Sequence, residues 1–137
     1  MKLTHAVTCE MEMELFFGED VIPVAATFEY HSSTPYEITV VLSHGQQIIA
    51  VWNFARNLLM QGVSHPSGIG DVRVWPDSEN GKSVLYLGLH GAQFSTLLRA
   101  RLSDIIVWNT RTQQLVPLGY EHLHADIAEE LAALLSE

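Results

Sequence analysis

The sequence predicts a single α+β domain, and three observations predict it. Apolar and polar residues alternate from Leu3 to Phe17. Short apolar runs separated by Pro and Gly turns follow, with one short helical stretch among them. The two longer segments with helical periodicity both lie near the C-terminus. With 137 residues, 47% apolar and 17% charged, the chain can bury one ordinary core as one domain spanning 1–137.

The elements follow in order. From Leu3 to Phe17 the odd-numbered residues Val7, Cys9, Met11, Met13 and Leu15 share one face, and Glu10, Glu12 and Glu14 share the other. That is a strand with one buried and one wet face, which favours an antiparallel sheet. Val24–Tyr30, Tyr36–Leu42 and Gln47–Trp52 read as the next three strands, with turns at Thr34-Pro35 and Ser43-His44-Gly45. Asn53 is placed to cap a short helix running through Gln61, with Gly62 ending it. Asp71–Trp75 reads as a strand stopped by Pro76, and Asp77–Ser83 as a hairpin loop centred on Asn80-Gly81. Val84–Leu89 and Phe94–Arg101 complete three further strands, although Leu97-Leu98 in the last is also compatible with a helix. Ser103 reads as the N-cap of a helix that turns Ile105, Trp108, Thr112 and Leu115 to one side, with Leu102 and Val107 as its hydrophobic staple. Pro117 and Gly119 stop it. Asp126, with Glu129 three residues on, reads as the cap of a last helix striped by Ile127, Leu131, Leu134 and Leu135. The predicted order is four strands, a helix, three strands and two helices.

Composition excludes several functions. The formal net charge is −9, from 7 Lys and Arg against 16 Asp and Glu, and such a surface repels phosphate backbones. Arg99 and Arg101 are the only close basic pair; on a strand they project from one face. Around Lys2 no continuous apolar run suggests a signal peptide, and no stretch approaches the roughly 20 apolar residues of a membrane helix. Cys9 is the only cysteine, so no disulfide forms within the chain; it is read as a small buried strand residue in a reducing cytosol.

Motifs with catalytic or cofactor associations fail on context. Gly81-Lys82-Ser83 ends like a phosphate loop, but Pro76 stands where the first glycine belongs and a strand follows instead of a helix. Gly68-Ile69-Gly70 lacks the third glycine and the preceding strand of a dinucleotide site. His122 and His124, with Glu121 and Asp126 nearby, fall in an expected loop and supply too few ligands at fixed geometry for a metal. No Gly-x-Ser-x-Gly element or other nucleophile arrangement stands out. The expectation is no catalytic residue, no cofactor and no metal. Trp52, Trp75 and Trp108 end or follow apolar runs and are assigned to packing, although tryptophan also suits an interface.

Several strings are distinctive when taken together: Thr34-Pro35-Tyr36, the run from Trp52 to Leu59 (WNFARNLL), Gly62, and Pro66 to Pro76 with its Gly-Asp-Val-Arg-Val-Trp-Pro end. Arg111-Thr112, Val116-Pro117-Leu118-Gly119 and Glu121 complete the set. In this order they resemble the SsgA-like family of sporulation and cell-division proteins. Thr34 and Asn57 stand where the family usually has acids. The resemblance implies two antiparallel sheets packed with helices, similar to the whirly-type single-stranded nucleic-acid proteins, assembled as a homo-trimer. It also implies a cytoplasmic, non-enzymatic adaptor at the division septum that helps place or recruit the division machinery. The partner would be the tubulin-like protein FtsZ or another SsgA-like protein, with no direct membrane insertion. A single-stranded nucleic-acid binder is the alternative that fold analogy suggests, and the acidic charge opposes it. The partner surface is expected at the bend Pro117, Leu118, Gly119, Tyr120 and Glu121, where glycine permits an unusual backbone and tyrosine offers an aromatic.

Overall fold

The computed structural model describes residues 5–68, 70–91 and 95–136. Leu3, Ile69 and Phe94, which entered the expectations above, lie outside the described residues. The elements are β1 (Ala6–Phe17), β2 (Asp20–His31), β3 (Glu37–His44), β4 (Gln47–Ala55), α1 (Arg56–Gly62), β5 (Val72–Glu79), β6 (Lys82–His90), β7 (Ser95–Arg101), α2 (Leu102–Leu115) and α3 (Glu121–Leu135).

The alternation of β1 builds as expected: Val7, Met11 and Met13 are buried on one face, while Glu10 and Glu12 are exposed on the other. Its partner rows continue that buried face through Val24, Ala26, Phe28 and Tyr30 of β2 and Ile38, Val40 and Leu42 of β3. On the other side Leu98 and Ala100 of β7, Leu85, Leu87 and Leu89 of β6, and Val72 and Val74 of β5 extend it. Helix α2 lies on this face. Its Trp108 is fully buried and meets Phe28 edge-on, ring centroids 5.5 Å apart.

The two expected sheets are one. Seven strands run in the order β4-β3-β2-β1-β7-β6-β5, all neighbours antiparallel. The reason is β1, which pairs with β2 along its whole length and with β7 at Glu14, Leu15 and Phe16. That short junction joins two meanders into a continuous sheet.

Other expectations are corrected locally. Asn53 caps no helix: it sits in β4 opposite Thr39, whose hydroxyl donates to its Oδ1 at 2.6 Å. Helix α1 therefore starts two residues later than expected, at Arg56, behind Ala55. Gly62 ends α1 without a left-handed turn; a Cβ there would collide with Val74, so glycine lets the helix cross close over β5. Pro76 does not stop β5, which runs on to Glu79, because β5 is an edge strand whose outer side needs no N–H. The following loop shrinks to a two-residue turn in which Asn80 and Gly81 have φ 52° and 78°. Ser103 is not the N-cap of α2, because β7 passes directly into the helix at Arg101; Val107 is exposed, so no staple forms. Helix α3 begins at Glu121, five residues before the expected Asp126 cap, so His122 and His124 lie in its first turn and not in a loop. None of its residues is buried.

Candidate functional site

The segment between α2 and α3 is a tight turn with a charged anchor beneath it. Val116 is buried and closes α2 by donating its N–H to Thr112 O at 2.9 Å. Pro117 O then accepts from Tyr120 N at 3.1 Å, closing a four-residue turn. Gly119, third in that turn, has φ 90°, which the turn demands and which side chains other than glycine resist. Gly119 N–H donates to Glu121 Oε1 at 2.6 Å, so the carboxylate sits over the start of α3, where the helix dipole favours negative charge.

The other oxygen of Glu121 faces Arg56. This guanidinium is 2% exposed, an unusual position for a charge, and three elements hold it. One terminal nitrogen donates to Val116 O at 2.7 Å and, at 3.3 Å, to Thr112 O, which also accepts from Val116 N–H at the end of α2. The other lies 3.2 Å from Glu121 Oε2, an ion pair and not an aligned hydrogen bond. Beneath it lies the Tyr30 ring, 5.0 Å from ring centroid to guanidinium carbon. The Tyr30 hydroxyl donates to Pro35 O at 2.9 Å, which ties β2 to the turn before β3. Asn109 adds a second link between helices, donating to Leu59 O at 2.9 Å.

The electrostatics follow the geometry. Burial pushes the Tyr30 hydroxyl up to about 12, against the lowering pull of Arg56. Burial also works against the Glu121 carboxylate, but hydrogen bonds from its own and the Gly119 backbone N–H, together with Arg56, outweigh it and hold the carboxyl below its ordinary value.

All five sequence-selected residues are thus contiguous, but they divide into two roles. Glu121 turns inward as the anchor. Leu118 and Tyr120 turn outward, 47% and 55% exposed, and Pro117 is exposed beside them. From Tyr120 the apolar row continues along α3 through Leu123, Ile127, Leu131 and Leu134, all exposed, at helical spacing. Among the described residues nothing covers this stripe. Sequence reasoning missed Arg56; the only available signal was a basic residue among apolar neighbours of α1 and an acid just past the Pro-Leu-Gly turn.

The remaining candidates lie elsewhere. Arg99 pairs with Glu14 at 2.9 Å and covers the Phe16 ring, while Arg101 is exposed at the end of the same strand. Of the tryptophans, Trp108 is core, Trp52 is half-buried, and Trp75 stacks on Tyr86 with centroids 5.6 Å apart. Among the described residues, no group of three His, Cys, Asp or Glu side chains gathers to hold a metal, and no helix is long and apolar enough to cross a membrane.

Comparison with known proteins covers the chain from end to end. The family profile described as "Streptomyces sporulation and cell division protein, SsgA" matches residues 24–121. The chain is 36% identical to the sporulation-specific cell division protein SsgB of Streptomyces coelicolor over 136 residues, covering 98% of this chain and 99% of that one. It is also 36% identical to the SsgB of Frankia casuarinae, with 98% and 96% covered. In three dimensions it is similar to an SsgA-like sporulation-specific cell division protein from Thermobifida fusca, with a TM-score of 0.88, 29% identity, and 97% and 98% of the chains covered. A structure of SsgB, described with mutations that correlate to longitudinal cell division during sporulation of Streptomyces coelicolor, aligns with a TM-score of 0.81 and 34% identity over 87% and 94% of the chains.

Proposed function

The chain belongs to the SsgA family of sporulation and cell division proteins, and from that premise we propose that it is a non-enzymatic adaptor in sporulation-specific division, helping to place or recruit the division machinery at septum sites. Its partner is FtsZ or another SsgA-like protein, met on the cytoplasmic side of the septum. The observation that carries this reading is a rigid, exposed bend. Leu118 and Tyr120 stand out from a turn whose backbone is fixed by Gly119, Glu121 and the buried Arg56. A loop held from below loses little entropy when it docks, so a few exposed side chains can serve as anchors.

The uncovered stripe of α3 supports the second half of the proposal, assembly as a homo-trimer. A helix with an apolar row and no buried residue needs a partner for that row, and a second copy is always present. Three copies would present three bends, so weak single contacts would sum on a polymer.

Co-sedimentation with FtsZ polymers, with GTP and without, tests the recruitment reading. Saturable pelleting with polymer is expected, reduced by Leu118→Ala and Tyr120→Ala, both exposed and therefore tolerated by the fold. No pelleting from folded, assembled protein would leave another SsgA-like or wall-synthesis protein as the partner. Leu131→Asp, on the exposed row of α3, is expected to lower the mass measured by analytical ultracentrifugation. An unchanged mass would remove α3 from the assembly interface.

A further inference from the structure

A different part of the molecule carries a binding site of its own. Beyond the junction at Glu14, Leu15 and Phe16, β7 ends at Arg101 and turns into α2, so among the described residues the rest of β1 has no paired strand on that side. A cleft of about 1200 Å³ opens there, running along β1 from Cys9 to Glu14 between the start of β6 and the first turns of α2 and reaching over the sheet face to Val21 and Pro23 of β2. Backbone direction follows from one contact. Thr8 O points toward α2, where Arg111 donates to it at 3.2 Å. Alternate residues of a strand direct their N–H and C=O the same way, so the backbone groups of Glu10 and Glu12 face the cleft. Among the described residues the ladder with β7 stops at Glu14, so neither has a paired strand on that side.

The molecule itself shows what pairs with this edge. Where β7 does reach β1, it sets Arg99 opposite Glu14, and the two form an ion pair of 2.9 Å on the open face of the sheet. The same register would set Arg101 opposite Glu12, but the ladder with β1 has already stopped there, and Arg101, still paired with Val84 of β6, is the last residue of β7. Glu10 and Glu12 are therefore the two next positions of an acidic row whose first member already has its arginine. Other charges lining the cleft are Glu79 and Asp104 against Lys82 and Arg101, so the site remains net negative. On the core-facing side of the same edge stand Met11 and Met13, with Val107 across the cleft.

We infer that this edge binds an extended segment of a partner protein as an added strand, with basic residues at alternate positions opposite Glu10 and Glu12 and apolar residues between them. The backbone edge supplies main-chain hydrogen bonds, and the alternation supplies specificity. This site is separate from the α2–α3 bend and does not depend on the recruitment reading.

The probe is a blocked peptide of roughly eight residues alternating valine and arginine, titrated into the full chain by calorimetry and by backbone amide NMR. Two comparison peptides have the same composition in blocks, or alternate valine with glutamate. The alternating basic peptide is expected to bind about tenfold more tightly than its block isomer, from two matched cross-strand pairs, and to slow exchange of the Glu10 and Glu12 amides. In the double variant Glu10→Arg with Glu12→Arg the preference passes to the valine–glutamate peptide. Equal affinity for the alternating and block peptides would reduce the effect to the overall negative charge and overturn the proposal. So would amides of Glu10 and Glu12 that are already protected without peptide, since a second copy would then occupy the edge.

Discussion

Replacing Arg56 by alanine tests the anchor beneath the bend. The change removes hydrogen bonds to Val116 O and Thr112 O, an ion pair with Glu121 and a ring contact with Tyr30, all around a side chain only 2% exposed. A hydrogen bond from a charged donor contributes about 1.5–3 kcal/mol, and removing one partner of a buried pair costs about 3–5 kcal/mol. Glu121 is 18% exposed, so water recovers part of its loss, and the lower half of that range, about 3–4 kcal/mol, applies. Domains of this size have only about 5–15 kcal/mol in total, so Arg56→Ala leaves a folded but marginal protein. Urea denaturation at one fixed protein concentration measures it, since assembly would otherwise shift the midpoint. A double-mutant cycle with Glu121→Gln isolates the pair, with a coupling of about 1–2 kcal/mol expected. Arg56→Lys keeps the charge but not the fork that reaches two elements, so it recovers less than half of the loss. A cost below about 1 kcal/mol for Arg56→Ala would refute the view that this residue holds the turn.

Four further outcomes follow. Gly119→Ala meets no neighbouring atom but forces alanine to φ 90°; a loss of about 1–2 kcal/mol is expected in the same denaturation assay, with weaker partner binding. Gly62→Ala drives a Cβ into Val74 and is expected to cost about 1–3 kcal/mol, whereas Gly62→Ala combined with Val74→Ala recovers part of it. Because the Glu121 carboxyl is held below its ordinary 4.5, the stability it contributes is present above that pH and is lost as pH falls below it; Glu121→Gln flattens this acid limb of a stability-versus-pH curve. At the alkaline end the Tyr30 hydroxyl, raised from 10.0 to about 12, stays protonated in the fold while the unfolded chain ionises, so stability falls across that window and Tyr30→Phe removes the fall.

What the sequence disclosed depended on whether the signal was local. The alternation of β1, the positive-φ pair Asn80-Gly81 and the inward face of α2 are all written within a few residues, and all three appear in the structure. The turn at Gly119 was legible for the same reason. The single sheet was not, because the pairing that unites it joins Glu14 to Arg99 through only three residue pairs, and the alternation within each strand does not say which strand lies beside it. Asn53 suits a cap as well as a strand, and only Thr39 across the sheet decides between them. The true start of α3 is set by Glu121 reaching Gly119 and Arg56, one neighbour two residues back and one on another helix. Its apolar stripe was plain in the sequence; that nothing among the described residues covers it was not.

The junction between β1 and β7 also bears on how the chain folds. Each meander on either side of it consists of hairpins between consecutive strands, contacts that form over short stretches of chain. The Glu14–Arg99 contact instead closes a loop of 85 residues, with an entropy cost on the order of 4 kcal/mol from length alone. Three residue pairs cannot supply that unaided. Helix α2 supplies the rest, because its buried Trp108 and Ile105 lie on the face that both meanders share. The two halves are thus fast-forming units, and the helix that follows the last strand is the clasp that commits them to one another. Its removal would open the molecule at this seam before either half came apart.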